Sequence, residues 1–247
     1  MDVDKLTILN YQQLKDMGKT LDIPIPKSKS QLISDIMVCL REYETYKRDH
    51  MDCYKRIRQL GEKGKEGTAF LVEMDNGKQY AMKTFRSQKS VNTLTREANL
   101  QKKGAFEGIS PEIIDVDLVG KSIVMEKLDR HLVDVMKKHD GLSVSHQRQI
   151  VGIYKKLDSV GVFHGDANLL NYMLKGRKLY IIDYGMAREI TPALVSKLGT
   201  TTPNMNIMTL GLVLKLRSMG YKRPSYEYLL TKLSDRQLEK FNLNQGL

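Results

Sequence analysis

The sequence is poor in cysteine. Cys39 and Cys53 are its only two. They stand at no metal-ligand spacing and make no disulfide framework, so a reducing compartment, cytoplasm or nucleus, is expected. No apolar run approaches the roughly 20 residues that span a bilayer, and Met1-Asp2-Val3-Asp4 is acidic rather than the start of a secretory leader. No membrane association is therefore expected. Acidic residues are also outnumbered: 40 Lys and Arg face 29 Asp and Glu, for a net charge of +11. Residues 1–50 hold eight of each sign, so the whole excess belongs to the remainder of the chain. That excess suits either an anionic partner or a solvated lysine-rich surface.

What the sequence does hold is centred on Phe163 to Gly185. An apolar lead-in runs to Phe163-His164-Gly165-Asp166, and Asn171 follows five residues after Asp166. Lys175-Gly176-Arg177 reads as a hairpin turn, and the strand after it ends in Asp183-Tyr184-Gly185. Phosphoryl transfer from ATP needs a carboxylate to orient the attacking hydroxyl and hard oxygen ligands for magnesium. Asp166 suits the first task. Asn171 and Asp183 suit the second.

These pieces resemble the catalytic loop and metal-binding aspartate of the protein-kinase superfamily. His-Gly-Asp in place of His-Arg-Asp is similar to RIO kinases, the small kinase subunit of the KEOPS complex and aminoglycoside phosphotransferases. The resemblance implies a bilobal α+β fold with a β-rich N-lobe over 57–128, hinge included, and a reduced helical C-lobe over 129–247. It also implies ATP and Mg2+ as cofactors.

Upstream motifs follow in the family's order. Gly61, Gly64 and Gly67 punctuate a strand–turn–strand pattern, where glycine lets backbone N–H groups approach phosphates. Gly64-Lys65-Glu66 resembles the loop of RIO kinases. Tyr80-Ala81-Met82-Lys83 matches the strand carrying the ATP-binding lysine, so Lys83 is expected to hold the α- and β-phosphates. Glu97 lies on a helical pattern over 92–103 and is the expected partner of Lys83, with Glu107 and Glu112 as alternates. Met125 to Leu128 falls at the hinge, where the backbone of Glu126 and Leu128 would meet the adenine edge.

Downstream, a helix over 144–160 ends at Gly161. The stretch from Met186 to Pro203 lacks an Ala-Pro-Glu closure. Gly165 replaces the arginine that answers a phosphorylated activation loop, so regulation by loop phosphorylation is not expected. Asn168 replaces the lysine usual in serine/threonine kinases, which leaves the substrate class open. Asn206 opens an apolar helix resembling the central helix of the C-lobe, at the place of its usual aspartate.

Residues 1–41 form a separate pattern. Tyr11, Leu14, Met17, Gly18 and Leu21 recur at helical spacing, two prolines enforce extension over 22–26, and Ser28 with Gln31 starts a second helix. This resembles a SAP motif, a small DNA-binding module, with Lys15, Lys19, Lys27 and Lys29 as phosphate contacts. Docking to a protein is the alternative. Residues 42–56 are expected to form a linker helix with Tyr43, Tyr46 and Tyr54 along one side.

The expected activity is Mg-ATP-dependent phosphorylation of serine or threonine in a protein substrate. A small-molecule phosphotransferase, a RIO-like ATPase and a non-catalytic DNA-tethering scaffold are the alternatives. A kinase of this size with a SAP-like module also suggests a large DNA virus or a nuclear setting.

Overall fold

The structure is a computed structural model. It describes residues 6, 9–21, 23–46, 53–62, 64, 66–139 and 141–244. The chain divides into two compact units, Met1–Ala98 with Ile113–Lys127, and Asn99–Glu112 with Leu128–Leu247. Together they are the mixed α+β inventory of a protein-kinase-like fold: an antiparallel sheet in the first, mostly helices in the second.

The first unit begins with helices α1 (Tyr11–Thr20) and α2 (Lys29–Tyr46). Asn10 caps α1 by accepting the Gln13 N–H, while the Gln13 side chain bonds the Asn10 N–H in return. This reciprocal cap was available in the sequence as Asn10-x-x-Gln13. Between the helices, residues 23–26 are in neither helix nor strand, and the Tyr11 hydroxyl donates to the Pro26 carbonyl. Leu6, Leu14, Leu32 and Ile36 bury completely as a small core of their own.

The expected linker helix is only partly present. α2 continues to Tyr46, residues 47–52 and the side chains of Tyr43 and Tyr46 lie outside the described residues, and Lys55–Leu60 is strand β1. Thus Lys55 and Arg56 belong to the sheet. β1 is an edge strand with five of its six side chains exposed, so charged residues there cost nothing and the usual apolar alternation is missing. Tyr54 packs edge-on against Tyr80 at 6.1 Å rather than lining a helix.

The sheet runs β1-β2-β3-β5-β4, all antiparallel, with β2 Gly67–Glu73, β3 Gln79–Phe85, β4 Ile113–Asp117 and β5 Ser122–Glu126. Side chains alternate between its faces. Val72, Tyr80, Met82 and Val124 fill one face. Phe85 and Ile123 fill the other, against Leu94 and Ala98 of α3 (Val91–Phe106). Lys83 shares the parity of Phe85 and so stands on the α3 side.

In the second unit, β6 (Arg130–His131) pairs with β8 (Tyr172–Lys175), which pairs with β9 (Lys178–Ile181) through the expected Gly176-Arg177 turn. α4 (Leu132–Lys138) and α5 (Val144–Ser159) precede β7 (Val162–Phe163). β10 (Arg188–Glu189) pairs with β7, and α6 (Pro192–Leu198), α7 (Thr209–Ser218), α8 (Glu227–Leu230) and α9 (Asp235–Lys240) complete the unit. The core joins Ile150, Ile153, Tyr154 and Leu157 of α5 to Leu212, Val213 and Leu216 of α7 and to Leu229. Gln147, fully buried, is satisfied by donating to the Leu142 and Pro224 carbonyls and accepting the Tyr228 N–H. It fastens the C-terminal turns onto α5.

Among the described residues no helix is long and apolar enough to cross a membrane.

Candidate active site

In the first unit, β3 sets Lys83 between Ala69 of β2 and Ile123 of β5. Its ammonium reaches Glu97 Oε1 at 2.8 Å. Glu97 is buried, so its charge has to be answered locally. Of the three glutamates considered for this pairing, Glu97 is the one that makes it. Glu107 instead lies 4.0 Å from Lys156, and Glu112 is exposed.

Sequence reasoning missed a second lysine. Lys89 contacts Glu97 Oε2, the other oxygen of the same carboxylate, and Glu66 Oε2 at 2.8 Å. Both ammonium groups stand over the Phe85 ring, at 4.9 and 4.2 Å. Only the low exposure of Lys89 marks it, and burial is a tertiary property.

The three glycines differ in what demands them. Gly61 has φ +69°, which favours glycine. Gly64 donates its N–H to the Gly67 carbonyl, closing the turn. At Gly67 a Cβ would stand 2.2 Å from the Thr84 carbonyl oxygen, so close strand packing requires glycine there. Lys65 lies outside the described residues. Glu126, opposite Tyr80, ends β5, and the chain leaves this unit at Lys127. Leu128 opens the next segment of the second unit and is buried.

In the second unit, Asp166 and Asn171 sit on one tight loop. The Asn171 amide donates to Asp166 Oδ2 at 2.9 Å. The contact uses the amide nitrogen of Asn171, and its amide oxygen is the kind of hard donor that magnesium takes. Asn168 accepts the Leu170 N–H and caps the 3-10 turn Leu169–Asn171, which accounts for asparagine at that position. Gly165 has φ +77° and the Met186 carbonyl 3.3 Å from where its Cβ would be. A side chain there would be strained, so the missing arginine is a backbone requirement. Asp183 is exposed and left-handed, at φ 65° and ψ 76°. Non-glycine residues held in this region concentrate at functional sites.

The loop is braced from behind. His164 Nε2 donates to the Ile182 carbonyl at 3.0 Å, and the Ile182 N–H donates to the Asn171 carbonyl at 2.9 Å. Burial holds the His164 pKa below its ordinary value, with Asp166 and Asp183 opposing the shift. The imidazole is therefore a neutral strut. Tyr184 packs edge-on to His164 at 5.1 Å and bonds Ser110 through its hydroxyl. Burial pushes its phenol pKa up, so it stays protonated.

The expectation for Asn206 is corrected. Asn204 is the residue that braces the catalytic loop, accepting the His164 N–H at 3.0 Å and donating to the Val162 carbonyl at 2.7 Å. Its amide also donates to Asp158 Oδ1 at 2.7 Å. Asn206 bonds the Thr200 hydroxyl at 2.5 Å instead. Asn204 opens the π-helical turn Asn204–Met208 that leads into α7, and Asp158 holds it there through its backbone N–H and its amide.

No family model matches the chain. It is 35% identical over 93 residues to a probable bifunctional tRNA threonylcarbamoyladenosine biosynthesis protein of Methanobrevibacter smithii, covering 37% of this chain and 16% of that protein. It is 31% identical over 99 residues to the KEOPS complex subunit Bud32 of Pyrococcus abyssi, 37% of this chain and 43% of that one. A probable serine/threonine-protein kinase BUD32 homolog of Archaeoglobus fulgidus is 29% identical over 111 residues, 44% and 53% of the two lengths. The matches thus span between about a sixth and about half of these relatives.

Proposed function

We propose that the chain, which resembles Bud32-type proteins over part of its length, transfers the γ-phosphoryl group of Mg-ATP to a serine or threonine hydroxyl of a protein. The observation that carries this reading is the Asn171–Asp166 contact, which couples a would-be metal ligand to a would-be base on one braced loop. The Lys83–Glu97 pair supports it independently.

In this mechanism Lys83, oriented by Glu97, engages the α- and β-phosphates. Asn171 and Asp183 would hold magnesium, which when bound neutralises phosphate charge; their oxygens are the hard donors it takes. Asp166 accepts a hydrogen bond from the acceptor hydroxyl, aims it and takes its proton. Most of the acceleration comes from positioning and charge neutralisation. The glycine turn and the backbone of Glu126 and Leu128 complete the nucleotide contacts.

A second reading, a RIO-like ATPase, is favoured by the short helix α6 after β10. With seven residues, it offers little helical platform for a peptide. One relative carries a KEOPS subunit's name. We infer that the protein partner belongs to an intracellular assembly rather than being a freely diffusing substrate. For the N-terminal helices the SAP-like reading assigns Lys15, Lys19, Lys27 and Lys29 to DNA phosphates. Lys19, Lys27 and Lys29 are exposed.

The test is transfer of labelled γ-phosphate by the intact chain and by Asp166→Ala, on the protein itself, casein and histone. Phosphoserine or phosphothreonine lost in the variant supports the kinase. Asp166-dependent free phosphate without protein labelling supports the ATPase. No Asp166-dependent product overturns both and leaves a small-molecule kinase or a scaffold. Salt-dependent binding of duplex DNA that is lost when the four lysines become glutamine supports the DNA reading; salt-independent or absent binding removes it.

A further inference from the structure

Glu97 carries two lysines. Lys83 takes Oε1 at 2.8 Å, and Lys89 takes Oε2. Both Glu97 and Lys89 are nearly solvent-free, with side-chain exposures of 3% and 8%. Lys89 has a second partner, Glu66, on the glycine-rich turn between Gly64 and Gly67. The Glu66 and Glu97 carboxylate oxygens lie within 4.8 Å of one another. Two adjacent carboxylates repel unless a cation stands between them, and Lys89 is that cation.

We propose that Lys89 is a positioning residue for the nucleotide phosphates, acting through Glu97 and Glu66. This rests on the phosphoryl-transfer reading above. With one lysine, Glu97 could rotate about its terminal bond and would draw on the full charge of Lys83. With both oxygens engaged, the carboxylate plane is fixed. Lys83 is then held in place by a partner whose charge is already half answered. The Glu66 contact extends the restraint to the glycine turn. That turn has its own tie, because the Arg86 N–H donates to the Glu66 carbonyl at 3.0 Å and the Arg86 guanidinium to the Gly64 carbonyl at 3.3 Å. The segment 86–89 therefore grips the turn by backbone and by charge together.

The experiment uses the full chain as wild type, Lys89→Met, Lys89→Arg, Glu97→Gln, Glu66→Gln and the Lys89→Met/Glu97→Gln double variant. Equilibrium binding of Mg-ATP and the chemical-denaturation midpoint without nucleotide are measured for each. Lys89→Met is expected to weaken ATP binding about tenfold and Lys89→Arg to recover most of it; the double variant should bind no more weakly than Glu97→Gln alone, because residues acting through one another are not additive. Glu66→Gln should weaken binding less than Lys89→Met. Wild-type affinity in a folded Lys89→Met protein overturns the proposal, as do losses that multiply in the double variant. If the wild type binds no Mg-ATP, it is the phosphoryl-transfer reading that fails. The nucleotide-free double-mutant cycle then decides the Lys89–Glu97 unit: coupling upholds it, and strict additivity overturns it.

Discussion

The side-chain oxygen of Asn204 accepts the backbone N–H of His164 at 3.0 Å, while its amide nitrogen donates to Asp158 at 2.7 Å. Asparagine is chosen here because the negative charge is supplied one step back. Asp158 also receives the backbone N–H groups of Asn204 and Met205, at 3.0 Å each. Burial nevertheless raises its pKa, the two backbone and one side-chain donors opposing.

Asn204→Asp should therefore be destabilising rather than conservative. It sets two carboxylates against each other in a buried site, at a cost of about 3 kcal/mol near neutral pH. The double variant Asp158→Asn/Asn204→Asp should recover only part of the loss: it removes the pair of carboxylates, but it sets an amide NH2 against one of the backbone N–H groups that Asp158 accepts and a carboxylate against the Val162 carbonyl. Urea denaturation of the three variants checks this, and a double no more stable than Asn204→Asp would rule that recovery out.

Asp166→Asn retains an acceptor for the Asn171 amide, so the loop should keep its shape. Turnover is expected to fall by at least about 100-fold, the scale of a lost general base. Nucleotide affinity should stay within about twofold of wild type. Rates and nucleotide binding measured on the same preparations separate the two effects.

Gly67 and Gly104 should be intolerant of alanine even with no nucleotide present. A Cβ at Gly104 would stand 2.2 Å from the Tyr184 hydroxyl and 2.6 Å from Ser110 Oγ. At Gly67 the obstacle is the Thr84 carbonyl, which cannot rotate away. Each substitution is expected to cost about 1–3 kcal/mol from overpacking. Thermal melts of the nucleotide-free protein report it directly.

His164 gives the fold an acid-sensitive point. Its folded pKa is lowered from 6.5, chiefly by burial. In acid the unfolded chain therefore binds a proton that the folded chain refuses. The stabilisation from keeping His164 neutral is complete above about pH 6.5 and is lost progressively as pH falls below it. His164→Gln keeps a donor for the Ile182 carbonyl but cannot titrate. The wild type should lose melting temperature between pH 7.5 and 5 more steeply than this variant. Parallel pH slopes would exclude the effect.

Much of the site was legible in the chain because it depends on local spacing. Asp166 and Asn171 lie five residues apart on one turn, and that turn alone brings them together. The Gly176 hairpin folds the strand leading to Asp183 back along β8 by turn chemistry. Lys83 on an alternating strand and Glu97 on a periodic helix could be named for the same reason. Lys55 and Arg56 were misread as helix, because an exposed edge strand carries no apolar period to reveal it.

What the sequence by itself determined is the order of the chemical groups and the local geometry of the catalytic loop, since both follow from covalent spacing and backbone preference. Tertiary structure alone decided which groups are buried together. Asn204 rather than Asn206 meets His164, because Asp158 of α5 holds Asn204 by its backbone and its amide beside the catalytic loop. Lys89 joins Glu97 and Glu66 because a buried carboxylate recruits whichever cation the fold brings within reach.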